Sequence, residues 1–79
     1  MSADERVERA RRMLEEIGIP AATVEAEGHE REVAAIRVPA GDWERLVGDE
    51  GTRIAERVKS AGFRYVAIDL RPLDDPAAA

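Results

Sequence analysis

Two stretches of the sequence share one plan: an amphipathic helix, a glycine that ends it, one apolar residue, and then a strand. They read ARRMLEEIGIPAATVE and AERVKSAGFRYVAIDL, and their glycines are Gly18 and Gly62. Glycine adopts the left-handed conformation that commonly ends a helix, and the apolar residue after it packs back on the last turn. Each predicted helix is therefore followed at once by a predicted strand. The likeness of the two stretches is weak evidence of an internal repeat.

The first helix has a signal at each end. Ser2 and Glu5 have the S-x-x-E spacing of a capping box, and Gly18 followed by Ile19 marks the end of the helix. Between these signals an apolar stripe recurs at helical spacing, formed by Val7, Ala10, Leu14 and Ile17. The pattern predicts a helix over residues 3–17, with the side chain after Gly18 folded back on the stripe.

Two alternating runs on either side of the polar turn GHERE predict a β-hairpin. The side chains that alternate towards the core include Val24, Ala34, Ile36 and Val38. Pro39 ends the second strand, and Asp42 is predicted to cap a second helix. The segment GDEG, residues 48–51, is expected to interrupt that helix, which Thr52 restarts. A third strand follows Gly62, with Val66, Ile68 and Leu70 on one face and Tyr65, Ala67 and Asp69 on the other.

The predicted order is αββαβ, an α+β fold in which a three-stranded mixed sheet carries two helices on one face. This order equals the ferredoxin-like βαββαβ order without its first strand, so we expect a truncated ferredoxin-like domain over residues 1–70. Residues 71–79 are predicted to form an acidic, flexible tail. The sheet face without helices is too apolar for an ordinary solvated surface. Its candidate interface residues are Val33, Ala35, Arg37, Tyr65, Ala67 and Asp69.

Composition excludes several classes of partner. The net charge of −5 disfavours nucleic acid, whose phosphates attract basic surfaces. The absence of cysteine excludes disulfides and thiolate chemistry. No apolar run approaches the roughly 20 residues of a membrane span, and the charged start of the chain is unlike a signal peptide. We therefore predict a soluble, cytoplasmic protein that binds neither nucleic acid nor membrane.

Few side chains suggest chemistry, and for each we favour a structural interpretation. His29, the one histidine, lies in the polar hairpin turn with no second histidine to share a metal. Trp43 opens a helix beside apolar residues and is interpreted as core or interface. Asp69, Asp74 and Asp75 lack the spacing and central glycine of a calcium loop. The serines have no base nearby in sequence, and the glycines form no phosphate loop. We predict no catalytic, cofactor-binding or metal-binding residue.

Asp69 invites two interpretations because it closes the third strand. It shares the open face with Arg37, and a short helical crossover would make their strands parallel. If those strands are neighbours, about 4.8 Å apart, the two side chains can pair directly. If the first strand lies between them, Arg37 pairs with Glu25 instead. In both cases we interpret Asp69 as a structural carboxylate rather than a catalytic acid.

The ordered set of elements, with a second strand AAIRV and the final run GFRYVAIDL, resembles the C-terminal domain of the ATP-dependent sacrificial sulfur transferases called LarE. The resemblance covers about residues 7–70 and is strongest from Gly62 to Leu70. Those enzymes act in assembly of the nickel-pincer cofactor of lactate racemase. The resemblance implies an oligomerisation domain that belongs to an ATP-pyrophosphatase enzyme.

This sequence departs from that family where the family carries its chemistry. The ATP-pyrophosphatase domain and the sulfur-donating cysteine are missing from the sequence. The resemblance implies two arginines that hold an anion, and Thr23 and Glu25 occupy their positions here. The resemblance also implies an A-R-I-E-V pattern in the second strand, and its Arg and Glu are replaced here by Ala35 and Arg37. The resemblance therefore implies the scaffold without the anion site.

We accordingly predict a non-catalytic domain that oligomerises or docks on a separately encoded protein partner, accessory to an ATP-pyrophosphatase or sulfur-transferase type of enzyme. The chain alone is not expected to be an enzyme and carries no predicted cofactor. The alternative is a small-molecule-binding regulatory module of ferredoxin-like type, which rests on the analogy of the fold.

Overall fold

A computed structural model describes residues 2–69, which form three helices and three strands in the order αββααβ. The elements are α1 (Ala3–Ile17), β1 (Thr23–Glu27), β2 (Val33–Arg37), α2 (Ala40–Val47), α3 (Asp49–Lys59) and β3 (Tyr65–Ile68). The predicted α+β class and three-stranded mixed sheet are confirmed. The predicted order αββαβ is wrong by one helix, because the segment predicted as the second helix forms two helices, α2 and α3. The tail at residues 71–79, with Asp74 and Asp75, lies outside the described residues, as does Leu70.

The sheet has the strand order β1-β2-β3. Strand β1 pairs with β2 antiparallel, and β2 pairs with β3 parallel, with Ile36 opposite Ile68. In a split βαβ arrangement a further strand separates the two parallel strands. Because β2 and β3 are hydrogen-bonded to each other here, the expected ferredoxin-like arrangement is not confirmed.

The predicted helix ends of α1 are confirmed. The Ser2 hydroxyl accepts a hydrogen bond from the Glu5 N–H at 3.2 Å. Gly18 has a left-handed φ of 99°, and the Ile19 N–H donates to the Leu14 carbonyl at 2.8 Å. Gly62 repeats the conformation with φ 116° before the buried Phe63. The sequence could indicate these helix ends because each bond joins residues that are close together in the chain.

Two details of the second helical segment differ from the prediction. Helix α2 begins at Ala40 after Pro39, so Asp42 lies in its first turn and does not cap it. Helix α3 begins at Asp49, and only Gly48 separates it from α2. Gly51 therefore lies inside α3, where an added Cβ would be 2.0 Å from the Leu46 carbonyl oxygen. Gly51 permits the close approach of α2 and α3. It does not interrupt a helix.

The helices pack on one face of the sheet. Helix α1 contacts β1 and α3, and α3 also contacts β3. The predicted inward residues Val24, Ala34, Ile36 and Val38 are all buried, whereas Val66 and Ile68 are partly buried. The rest of the core is Ala10, Leu14, Ile19, Ala22, Leu46, Ile54, Val58, Ala61 and Phe63. The predicted alternation of faces is therefore confirmed.

Two arginines on the helices bind backbone carbonyls of distant segments. Arg45 donates to the carbonyls of Ile17 at 3.0 Å and Gly18 at 3.3 Å, and its guanidinium also binds both carboxylate oxygens of Glu50. Arg6 donates to the carbonyls of Arg31 and Gly62 and lies 5.2 Å from the centre of the Phe63 ring. These contacts secure α1 at both ends.

We expect the Arg45→Ala variant to unfold at a lower urea concentration than the Arg57→Ala variant. The first change removes two carbonyl contacts and a two-point ion pair, whereas the second removes a single exposed pair with Glu16. Equal unfolding midpoints, followed by circular dichroism, would contradict the bridging role of Arg45.

The pH dependence of stability distinguishes the ion pair of Arg45 with Glu50 from the hydrogen bonds of Arg45 to backbone carbonyls. The hydrogen bond and charge of Arg45 lower the pKa of Glu50 from its ordinary value of 4.5. Because this pKa is lower in the folded state, the pair stabilises the fold above pH 4.5, and its contribution is lost as the pH falls through the folded-state pKa. The carbonyl contacts do not titrate. The difference in midpoint between wild type and Arg45→Ala should therefore shrink below pH 4.5 without vanishing.

Candidate functional site: the open sheet face

The sheet face opposite the helices presents nine side chains in three rows across the strands. The pairing register places Glu27, Val33 and Tyr65 in one row and Glu25, Ala35 and Ala67 in the next. In the third row Thr23 lies opposite Arg37, and Asp69 follows β3 one position beyond the Ile36–Ile68 pair. The six predicted interface residues therefore lie on one surface, which we call the open face.

One corner of the open face is apolar. Tyr65 is 58% exposed, and only one other large hydrophobic residue in the described chain, Val47, is comparably exposed. Ala67 is exposed beside it, while Val33 and Ala35 are half-buried. No helix within residues 2–69 covers these side chains, because α1 and α3 lie on the other face. Tyr65, Val33, Ala35 and Ala67 therefore form a small contiguous apolar cluster on this face.

The opposite corner of the open face is polar. A pocket of about 200 Å³ is lined there by Thr23, Glu25, Glu27, Arg37 and Asp69, with Ala35 and Ile36. The Asp69 N–H donates to the Ile36 carbonyl at 2.8 Å, which extends the β2–β3 pairing by one bond. The strand order thus makes Arg37 and Asp69 neighbours, and direct pairing of their side chains stays a prediction.

The other candidate residues have structural positions. His29 is exposed in the hairpin turn. Trp43 packs against the core, and its buried indole N–H has no hydrogen-bond partner among the described residues. The Ser2 hydroxyl caps α1, and the Ser60 hydroxyl donates to the Arg57 carbonyl. Within residues 2–69 no three potential ligands come together to hold a metal ion.

The hairpin turn contains organisation that the sequence analysis missed. Arg31 has a positive φ of 58°, uncommon for a residue with a side chain, and its guanidinium donates to the Ala26 carbonyl at 3.1 Å. The Glu32 carboxylate accepts from the Glu30 N–H at 2.8 Å. The sequence GHERE predicted only a polar turn, because its composition does not show which of its residues would make these two hydrogen bonds.

No protein-family model matches the sequence, and no curated protein matches it. Among the helices of residues 2–69, none is long and apolar enough to cross a membrane.

Proposed function

We propose that this chain is a non-catalytic docking domain that binds a protein partner through the open face. The observation that supports the proposal most directly is the exposed Tyr65, which lies beside Val33, Ala35 and Ala67 on a face that the described helices leave uncovered. Tyrosine is among the residues that most often dominate binding at protein interfaces, since it combines apolar area with a polar tip.

The charges on the open face disfavour two symmetric ways in which a second copy of this chain could pack on it. Two-fold symmetric dimers place the same patch opposite itself. A two-fold axis that runs along the strands through Ala35 would set Arg37 against its own copy. An axis across the strands would set Glu25 against its own copy. Like charges in a contact are costly. A different protein that fits this face would be apolar opposite Tyr65 and basic opposite Glu25 and Glu27.

The size of the open face indicates the strength of the contact. Three strands spaced about 4.8 Å apart, each with five residues that rise about 3.3 Å, cover roughly 240 Å². Stable interfaces bury about 800 Å² on each partner. A contact limited to this face is therefore transient, and a tighter complex needs additional surface at the rim.

The resemblance to the C-terminal domain of LarE-type enzymes suggests the kind of partner. We propose a separately encoded ATP-pyrophosphatase-type subunit, with this chain as its accessory domain. The ferredoxin-like regulatory module is the second candidate. It is less well supported, because it rests on analogy with a ferredoxin-like fold, whereas β2 and β3 are direct neighbours here.

We expect a 1:1 complex between this chain and an ATP-pyrophosphatase-type subunit encoded beside it, measured by isothermal titration calorimetry because a transient complex dissociates during chromatography. The Tyr65→Ser variant should weaken the complex at least about tenfold, because it removes the exposed aromatic contact. The matched control is Val47→Ser, which removes a similarly exposed apolar side chain on α2 and should change the affinity less than about twofold.

Three results would contradict the proposal. One is a clean monomer that binds no such neighbour. Another is a dimer of this chain that Tyr65→Ser dissociates, since that would identify a second copy as the occupant. The third is equal weakening by Tyr65→Ser and Val47→Ser. A nucleotide or cofactor precursor that raises the melting temperature without any protein partner would instead support the regulatory module.

A further inference from the structure

A groove lies along the outer edge of β1, on the helix side of the sheet. Its volume is about 600 Å³, and it is lined by Ala3, Asp4 and Val7 from α1, by Val24, Glu25 and Ala26 from β1, and by Arg31. The lining therefore combines apolar side chains, such as Val7 and Val24, with the charged side chains of Asp4, Glu25 and Arg31. Strand β1 ends the sheet on this side, because the strand order within residues 2–69 is β1-β2-β3.

The hydrogen bonding of β2 shows which backbone groups of β1 face the groove. The carbonyls of Glu32 and Ile36 accept from β3, so the alternate residues of β2, including Ala35, direct their backbone groups towards β1. Ala35 pairs with Glu25. The backbone N–H and C=O groups of Val24 and Ala26 must therefore face outward, and the bond from the Arg31 side chain to the Ala26 carbonyl confirms this direction.

We infer that the edge of β1 is a strand-addition site for an extended segment of a partner protein. Such a segment would pair its backbone with Val24 and Ala26. Side chains alternate along a strand, so every second one would enter the groove beside Val7. The others would lie next to Glu25 and Glu27 on the open face. The fitting segment therefore alternates small apolar residues with lysine or arginine.

The Arg31 side chain blocks part of this edge in the free protein. Its guanidinium donates a hydrogen bond to the Ala26 carbonyl, one of the four outward backbone groups of Val24 and Ala26. Exposed edges are commonly protected by charged side chains, which prevent pairing with unrelated strands. Arg31 is itself exposed, so an incoming segment can displace it. Removal of the Arg31 side chain should therefore increase affinity for the segment. It also makes the protein more acidic, which by itself favours a basic segment and requires a control of equal charge.

This inference concerns the edge of β1, which shares Glu25 and Glu27 with the open face, and it does not rest on the proposed function. The probe is a fluorescein-labelled eight-residue peptide of alternating valine and lysine, with blocked ends. Its matched control has the same composition in two blocks, four valines followed by four lysines. We expect fluorescence anisotropy to show at least about tenfold tighter binding of the alternating peptide, because attraction to the acidic protein is common to both.

Three further measurements locate the bound peptide. Methylation of the peptide nitrogens that face β1 should weaken binding at least about tenfold, whereas methylation of the opposite set should not. The amide NMR signals of Val24 and Ala26 should shift most. The Arg31→Ala variant should bind several-fold more tightly than Arg12→Ala, which removes the same charge from an exposed site on α1.

Equal binding of the alternating and block peptides would overturn the inference. So would equal effects of the two methylation patterns, or unchanged affinity in Arg31→Ala relative to Arg12→Ala. Shifts confined to Tyr65 and Ala67 would also overturn it while supporting the open face as the docking surface. The two proposals can therefore fail separately.

Discussion

Replacing Gly51 with alanine is expected to destabilise the fold by about 3 kcal/mol, measured by urea denaturation. A Cβ at this position would lie 2.0 Å from the Leu46 carbonyl oxygen and 2.6 Å from the Leu46 carbonyl carbon. Both atoms belong to backbone, so relief requires that α2 and α3 move apart. A fold of this size is stable by about 4–12 kcal/mol, so the loss would be a large part of the total.

Gly41→Ala is the matched control. Gly41 also lies near the start of a helix, but nothing is within 4 Å of an added Cβ. Alanine should therefore stabilise the fold by up to about 1 kcal/mol, because it lowers the entropic cost of helix formation. If Gly51→Ala matched Gly41→Ala, the close approach of α2 and α3 would be refuted.

Replacing Ile36 with alanine is expected to cost about 2–5 kcal/mol of unfolding free energy. Ile36 is fully buried in the central strand, and its removal leaves a cavity beneath the helices. Ile68→Ala should cost less, since Ile68 is only partly buried on edge strand β3. Chemical denaturation of the two variants provides the measurement.

Val33→Ala tests the opposite face of the same strand. Val33 is half-buried on the open face, so its truncation should cost less than about 1 kcal/mol. A larger loss for Val33→Ala than for Ile36→Ala would mean that the register of β2 is shifted by one residue, because such a shift exchanges the two faces.

Local signals in the sequence predicted much of this fold. Ser2, Gly18 and Gly62 act through hydrogen bonds to residues a few positions away, so spacing alone identified the helix ends. The alternation of Val24, Ala34 and Ile36 with polar or small residues identified the inner face in the same way. These features required no knowledge of distant contacts.

Features that depend on distant contacts were missed or left open. The role of Gly51 depends on the approach of the Leu46 carbonyl, which no periodicity reveals. The sequence did not determine whether β2 and β3 are neighbours in the sheet, because a helical crossover can join adjacent or separated strands. Asp42 met the rule for a cap, but α2 begins at Ala40 after Pro39, without a side-chain cap.

The candidate site was predictable as a face but not as a complete binding surface. Strand parity placed Val33, Ala35 and Tyr65 on the side opposite the helices, and the register confirms that placement. The groove beside β1 was not foreseen. It depends on how Val7 of α1 lies against an edge strand and on the reach of the Arg31 side chain.

The position of Arg6 joins two turns that are far apart in the sequence. One guanidinium nitrogen donates to the Arg31 carbonyl in the hairpin turn and to the Gly62 carbonyl in the turn that leads into β3. The hairpin turn and the turn before β3 therefore depend on the same side chain of α1, so an Arg6→Ala variant should loosen both turns together.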